Sequence, residues 1–264
     1  MTRLSLLLAA SLFTLNASAL ELAKYPQVFA AGKGISVTVA PSSDGKQALI
    51  QVSGINHPLD EVVLLSTISE RGNDERDYTT TLNGSAYNML VKRQGWGGER
   101  FQLYLPNTDG FELGFDETKS KEAKPANLLA LYEQQKKKGI QDKLSRFDRE
   151  QRVADFSAQL QQIDQDASKA CGTTLVTEVE WNAIDDDKLK RLSVPSFCGE
   201  VVSQLANLCE NGDAQKAAAK GLKTVQCSFD AELKLRESDA GLVFTTHEKA
   251  PNQGDFINAF LRNR

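Results

Sequence analysis

The chain has 264 residues, 41% hydrophobic and 25% charged, with a formal net charge of −4. That length suits one large domain or two of ordinary size. The mildly acidic charge is mixed in sign along the chain, so no basic face for nucleic acid is expected.

Residues 1–19 read as a leader rather than as structure. Arg3 supplies a positive start, Leu4–Leu15 is an apolar run too short to span a bilayer, and Ala17-Ser18-Ala19 fits a small-x-small cleavage site. The expectation is an exported protein beginning at Leu20, in a bacterial periplasm or secreted. No later segment is long and apolar enough for a transmembrane helix. In a eukaryotic secretory route, Asn83-Gly84-Ser85 would be a glycosylation sequon.

Residues 20–117 are strand-rich. Ile35, Val37 and Val39 alternate with polar neighbours, as do Ala48, Ile50 and Val52 beyond the Pro41–Gly45 turn. Val62–Ile68 is a denser β-branched and leucine run. Asp77–Leu82 and Ser85–Lys92 are joined by Asn83-Gly84, a two-residue hairpin signal because both positions need positive φ. Phe101, Leu103 and Leu105 lead through Pro106–Gly110 into Phe111, Leu113 and Phe115. This pattern predicts an antiparallel sandwich or barrel of about seven strands. Trp96, held among Gly95, Gly97 and Gly98, is a candidate binding residue for a sugar ring or an apolar side chain. His57, near Asp60 and Glu61, is a lone imidazole without the further ligands a zinc site needs, so it reads as a turn.

Residues 118–144 form a linker and helix. Glu117–Lys124 is charged and reads as a solvated boundary, Pro125 opens a helix, and Gly139 breaks it. From Ser145 to Cys171, Val153, Phe156, Leu160, Ile163, Ala167 and Ala170 recur at steps of three and four, one face of a helix. Gly172 suits its left-handed cap. The stripe is too short for a coiled coil, so a monomer is favoured over a helix-mediated dimer.

Residues 145–264 hold all four cysteines. Leu175, Thr177, Val179 and Trp181 share one strand face, with Glu178 and Glu180 on the other. Asp185–Asp187 before Lys188–Leu192 reads as the acidic start of a short helix rather than a metal site. Helices from Pro195 to Glu210 and from Asp213 to Gly221, strands around Val225–Leu235 and Leu242–His247, and a helix at Asp255–Leu261 complete an α+β domain. Its sheet is expected to be antiparallel, covered by helices on one face. An even cysteine count in an exported chain implies two disulfides. Cys198 and Cys209 on one helix are about 16 Å apart, too far to bridge. With the first strand leaving Cys171 and the helix returning Cys209 to it, the expected pairs are Cys171–Cys209 and Cys198–Cys227.

No catalytic residues emerge. His57 and His247 accompany no nucleophile motif, and no phosphate-binding loop, redox pair or metal spacing is present. Glu178 and Glu180 are the one carboxylate pair that could serve a glycosidase-type site, though two acids on a strand face more simply contact solvent. The reading is a non-catalytic envelope protein, without cofactor or metal, that binds a protein, peptide or glycan. The alternatives are an envelope hydrolase with a carboxylate site and an inhibitor or immunity-type protein.

Overall fold

The computed structural model describes residues 20–264 except 96, 213–215, 218 and 240. By internal contacts it divides into two compact units. The first takes the described residues up to Tyr78 with Leu90–Leu103 and Phe111–Gln135; the second takes Thr79–Met89, Tyr104–Gly110 and Lys136–Arg264.

The N-terminal strands are β1 (Gln27–Ala30), β2 (Ser36–Pro41), β3 (Gln47–Ser53), β4 (Val63–Gly72), β5 (Glu75–Leu82), β6 (Ser85–Gly95), β7 (Gly98–Leu103) and β8 (Phe111–Phe115). They form a closed barrel in chain order. The strand beyond the expected set is β1, which pairs antiparallel with both β2 and β8 and so completes the closure. Four residues after Pro26 are too few to display a period, and both partners of β1 are set by the fold rather than by a neighbouring hairpin. Val37, Val39, Ile50 and Val52 are fully buried, and the Phe29 ring lies 4.3 Å from that of Phe101. Asn83 and Gly84 take φ of 45° and 71° at the β5–β6 turn, and Asn73 and Asp74 take 50° and 60° at the β4–β5 turn, the left-handed pair a tight hairpin requires.

The segment read as a solvated linker instead opens with helix α1 (Glu117–Glu122). Asp116 caps it by accepting the Lys119 N–H at 2.9 Å, and Ser120 Oγ accepts the Val28 N–H of β1 at 2.8 Å. Its charges stay outward, which is why composition alone suggested a boundary. Helix α2 (Pro125–Lys137) packs Leu128 and Tyr132 against Ala40, Leu49 and Val63. Its Gln135 side chain accepts the Val63 N–H and donates to the Glu61 carbonyl, both at 2.8 Å.

In the second unit, α3 (Ile140–Ser145) precedes α4 (Arg149–Cys171). Asp148 caps α4 by accepting the Gln151 N–H at 3.0 Å, so the helix starts four residues after the Ser145 expected and four before its apolar stripe begins at Val153. It ends on Gly172 at φ 67°. There follow β9 (Val176–Val179), α5 (Asp186–Arg191), α6 (Val194–Cys198), α7 (Glu200–Asn211), β10 (Thr224–Phe229), β11 (Lys234–Ser238), β12 (Gly241–Thr246) and α8 (Gln253–Arg262). Asp185 accepts the Lys188 N–H at 2.8 Å and caps α5, at the acidic helix start that the aspartate run suggested. The short helix expected over 213–221 lies partly outside the described residues.

The sheet runs β11-β12-β10-β9, and here the expectation needs correction. β9, β10 and β12 are mutually parallel, and only β11 is antiparallel to its neighbour. The α5–α7 segment is the crossover a parallel pair requires; it brings the chain back to the starting end of β9, so Thr224 lies opposite Val176. Val225, Cys227, Leu242 and Phe244 are buried in one core with Phe156, Leu160, Ala167 and the α7 residues Val201, Val202 and Leu205. The stripe of α4 is thus buried inside its own unit. The opposite sheet face carries the exposed Glu178, Gln226 and Arg236.

Two disulfides tie this core, Cys171–Cys209 with Cα atoms 5.1 Å apart and Cys198–Cys227 at 5.6 Å. These are the pairs selected from the sequence, although β10 runs parallel to β9 and not against it. Cys227 reaches the far end because it is opposite Val179, at the end of β9. The expected single helix is α6 and α7 meeting at Gly199. A Cβ there would lie 2.6 Å from the Pro195 carbonyl oxygen and 2.8 Å from Ile163 Cδ1, so this close approach to α4 requires glycine. Among the described residues, no helix is long and apolar enough to cross a membrane.

Candidate functional site

β9 is an outer strand of the sheet, with β10 on one side and, among the described residues, no strand on the other. Val176 and Glu180 donate their N–H groups to the Lys223 and Cys227 carbonyls at 3.0 and 3.4 Å. In a parallel pair, alternate residues turn their backbone groups to opposite sides. Leu175, Thr177 and Val179 therefore face the free edge.

Helix α4 fills the first half of that edge with side chains. Ser168 Oγ accepts the Leu175 N–H at 2.9 Å. Asp164 accepts from the Thr177 N–H at 2.7 Å and from the Thr177 hydroxyl at 2.6 Å. These bonds satisfy edge donors that would otherwise be orphaned beneath the helix. Among the described residues no bond closes on the Thr177 carbonyl, or on the N–H and carbonyl of Val179.

A groove of 590 Å³ runs between α4 and β9. Leu160, Leu175, Val176 and Trp181 give it apolar surface, and Gln161 and Gln165 add polar groups. Trp181 is braced by Phe156, with ring centroids 6.4 Å apart. Asp164 is only 7% exposed. Burial pushes its carboxyl above the usual carboxylate range, and the two hydrogen bonds from Thr177 pull against that shift. On the opposite face of the strand, Glu178 and Glu180 line a depression of 270 Å³ with Gln226 and Ser228. Both glutamates are exposed, and neither has an ion pair among the described residues. Among the described residues, the linings of the two hollows hold three carboxylates and no basic side chain. An extended chain laid along β9 would send alternate side chains into one hollow and over the other.

A two-carboxylate mechanism needs acids on opposite sides of a scissile bond. Asp164 is the one acid lining its groove, with both oxygens held by Thr177, while Glu178 and Glu180 lie on the other face of the strand.

The remaining sequence candidates are dispersed. Trp96 lies outside the described residues. His57 Nδ1 accepts the Leu59 N–H at 3.1 Å and Asp60 accepts the Ile55 N–H at 3.2 Å, so that segment is a hydrogen-bonded turn. Among the described residues no group of three His, Cys, Asp or Glu could hold a metal ion. Two side chains that organise this unit escaped the sequence reading. Asp164 stands four residues after Leu160 and three before Ala167, an acid inside the apolar stripe, and that misplaced charge was the available signal. Arg152, near the start of the same helix, donates to the Asn83 carbonyl at 2.8 Å and to Ser85 Oγ at 3.0 Å, anchoring the hairpin tip within this unit.

No protein-family model matches the chain, and no curated protein or solved structure matches it.

Proposed function

We propose that the protein is an exported, non-catalytic binding protein of the cell envelope whose second unit takes an extended polypeptide segment against β9. The observation that carries this reading is the half-open strand edge, where Thr177 and Val179 offer two carbonyls and one N–H beside the groove. In strand addition, main-chain bonds supply affinity and flanking pockets for alternate side chains supply specificity. The Leu160 and Trp181 surface is such a pocket. Two buried disulfides support an oxidising compartment and hence export.

Val179→Pro tests the reading. The Val179 N–H points away from β10, so proline removes an edge donor without breaking the ladder, the one setting in which a strand tolerates it. The probes are short labelled peptides with valine at every second position and lysine, serine or glutamate between, followed by fluorescence anisotropy. At least one should bind the parent protein, and Val179→Pro should abolish that binding with thermal unfolding little changed. Equal binding by a folded Val179→Pro variant would remove the edge from the account.

A further inference from the structure

We infer that the strand taken by β9 is basic, with a lysine or arginine on each side of the residue that faces Val179, and that it belongs to a partner and not to a second copy of this chain. The inference rests on the edge reading and adds the chemistry of the occupant. In an antiparallel addition, the residue opposite Val179 exchanges both main-chain bonds with it. Its two neighbours then stand opposite Glu178 and Glu180, on the open sheet face where both carboxylates are exposed and, among the described residues, without ion partners. The central residue points to the other face, where Val179 packs against the core with Trp181. Among the described residues, the lining of the open-face hollow holds Glu178 and Glu180 and no cation, so the incoming charge is positive on electrostatic grounds.

A second copy fits poorly in each available register. Two β9 strands related by a twofold axis at Glu178 would place Glu178 opposite its own equivalent. An axis at Val179 would place Glu178 opposite Glu180. Like charges directly opposite one another destabilise a strand pair. An axis at Thr177 avoids this but needs the N–H groups of Leu175 and Thr177, which Ser168 and Asp164 already hold. The glutamates thus discourage self-pairing and favour a cationic strand.

The experiment compares the lysine, serine and glutamate peptides on the parent protein and on a Glu178→Gln, Glu180→Gln variant, at low and high salt. The lysine peptide should bind the parent about tenfold more tightly than the serine peptide, as two cross-strand charge pairs would give. The glutamate peptide should bind most weakly, and the lysine preference should shrink as salt screens exposed charges. In the double variant the preference should vanish while serine-peptide binding persists. Equal binding of all three by the parent would overturn the basic partner and leave the edge reading standing. Failure of all three to bind would remove the edge reading itself. A peptide-free dimer in sedimentation that Val179→Pro dissolves would make a second copy the occupant, contrary to the inference.

Discussion

In the barrel every strand has two neighbours, because β1 pairs with β2 on one side and β8 on the other; the mixed sheet ends in two outer strands with one neighbour each. The barrel has no edge to protect, whereas the sheet protects its two edges by different means. β11 presents exposed Lys234, Arg236 and Glu237, charges that disfavour casual pairing. β9 is plugged by α4 over its first half and, among the described residues, unbonded over the rest. The covalent ties follow the same division, since the described barrel strands contain no cysteine and both disulfides lie in the sheet's unit. A closed barrel holds its strands by pairing and packing alone. The sheet's unit has an edge that is partly unbonded among the described residues, and two disulfides tie its core.

The strongest way to break this comparison is to remove both disulfides by reduction or by Cys→Ala replacement. Their sequence separations of 38 and 29 residues correspond to about 3.5–4 kcal/mol each in the chain-entropy account. Hydrogen exchange in denaturant should then show α7 and β10 amides losing protection well before those of β2 and β3. Loss in step would show that the two units unfold as one. Ile50→Ala probes the other side. Ile50 is fully buried, and the truncation should cost about 2–5 kcal/mol, read as lost protection in β2 and β3 with α7 and β10 least affected.

A smaller, pH-dependent effect isolates Asp164. Its carboxyl is raised in the folded state by burial, so the fold binds that proton more tightly than the unfolded chain does. The group therefore adds stability as pH falls from its raised folded value toward the ordinary carboxylate value, and that contribution is absent above the folded value. Asp164→Asn removes the titration. Urea midpoints measured across this window should show the parent gaining on the variant as pH falls; parallel curves would contradict the assignment.

Much of the architecture was legible because its signals are local. Asn83-Gly84 fixed a hairpin, Pro125 and Gly139 bounded α2, and the Val153–Ala170 stripe ending at Cys171 and Gly172 marked α4. The structure departs from the sequence reading where distant segments decide. β1 is defined only by strands β2 and β8, and the direction of β10 depends on where the α5–α7 crossover returns the chain. The disulfide pairs survived that error because Cys198 and Cys227 meet at the far end of β9 whichever way β10 is approached. At the site, alternation placed Glu178 and Glu180 together on one face. Their position at a free edge follows from strand order, which no local pattern encodes, so the pair read as a solvated face or, alternatively, as a glycosidase-type carboxylate pair. Asp164 was visible as a charge in an apolar stripe, but its partner Thr177 became apparent only once α4 lay along β9.

The central claim is that Val179, and not the plugged part of the edge, pairs with an incoming strand. The direct measurement is amide exchange at Val179 and Thr177, by NMR, with and without the alternating lysine–valine peptide. The account predicts that the peptide slows exchange at Val179 and leaves Thr177, already bonded to Asp164, unchanged. Peptide binding with Val179 exchange unaltered would contradict it.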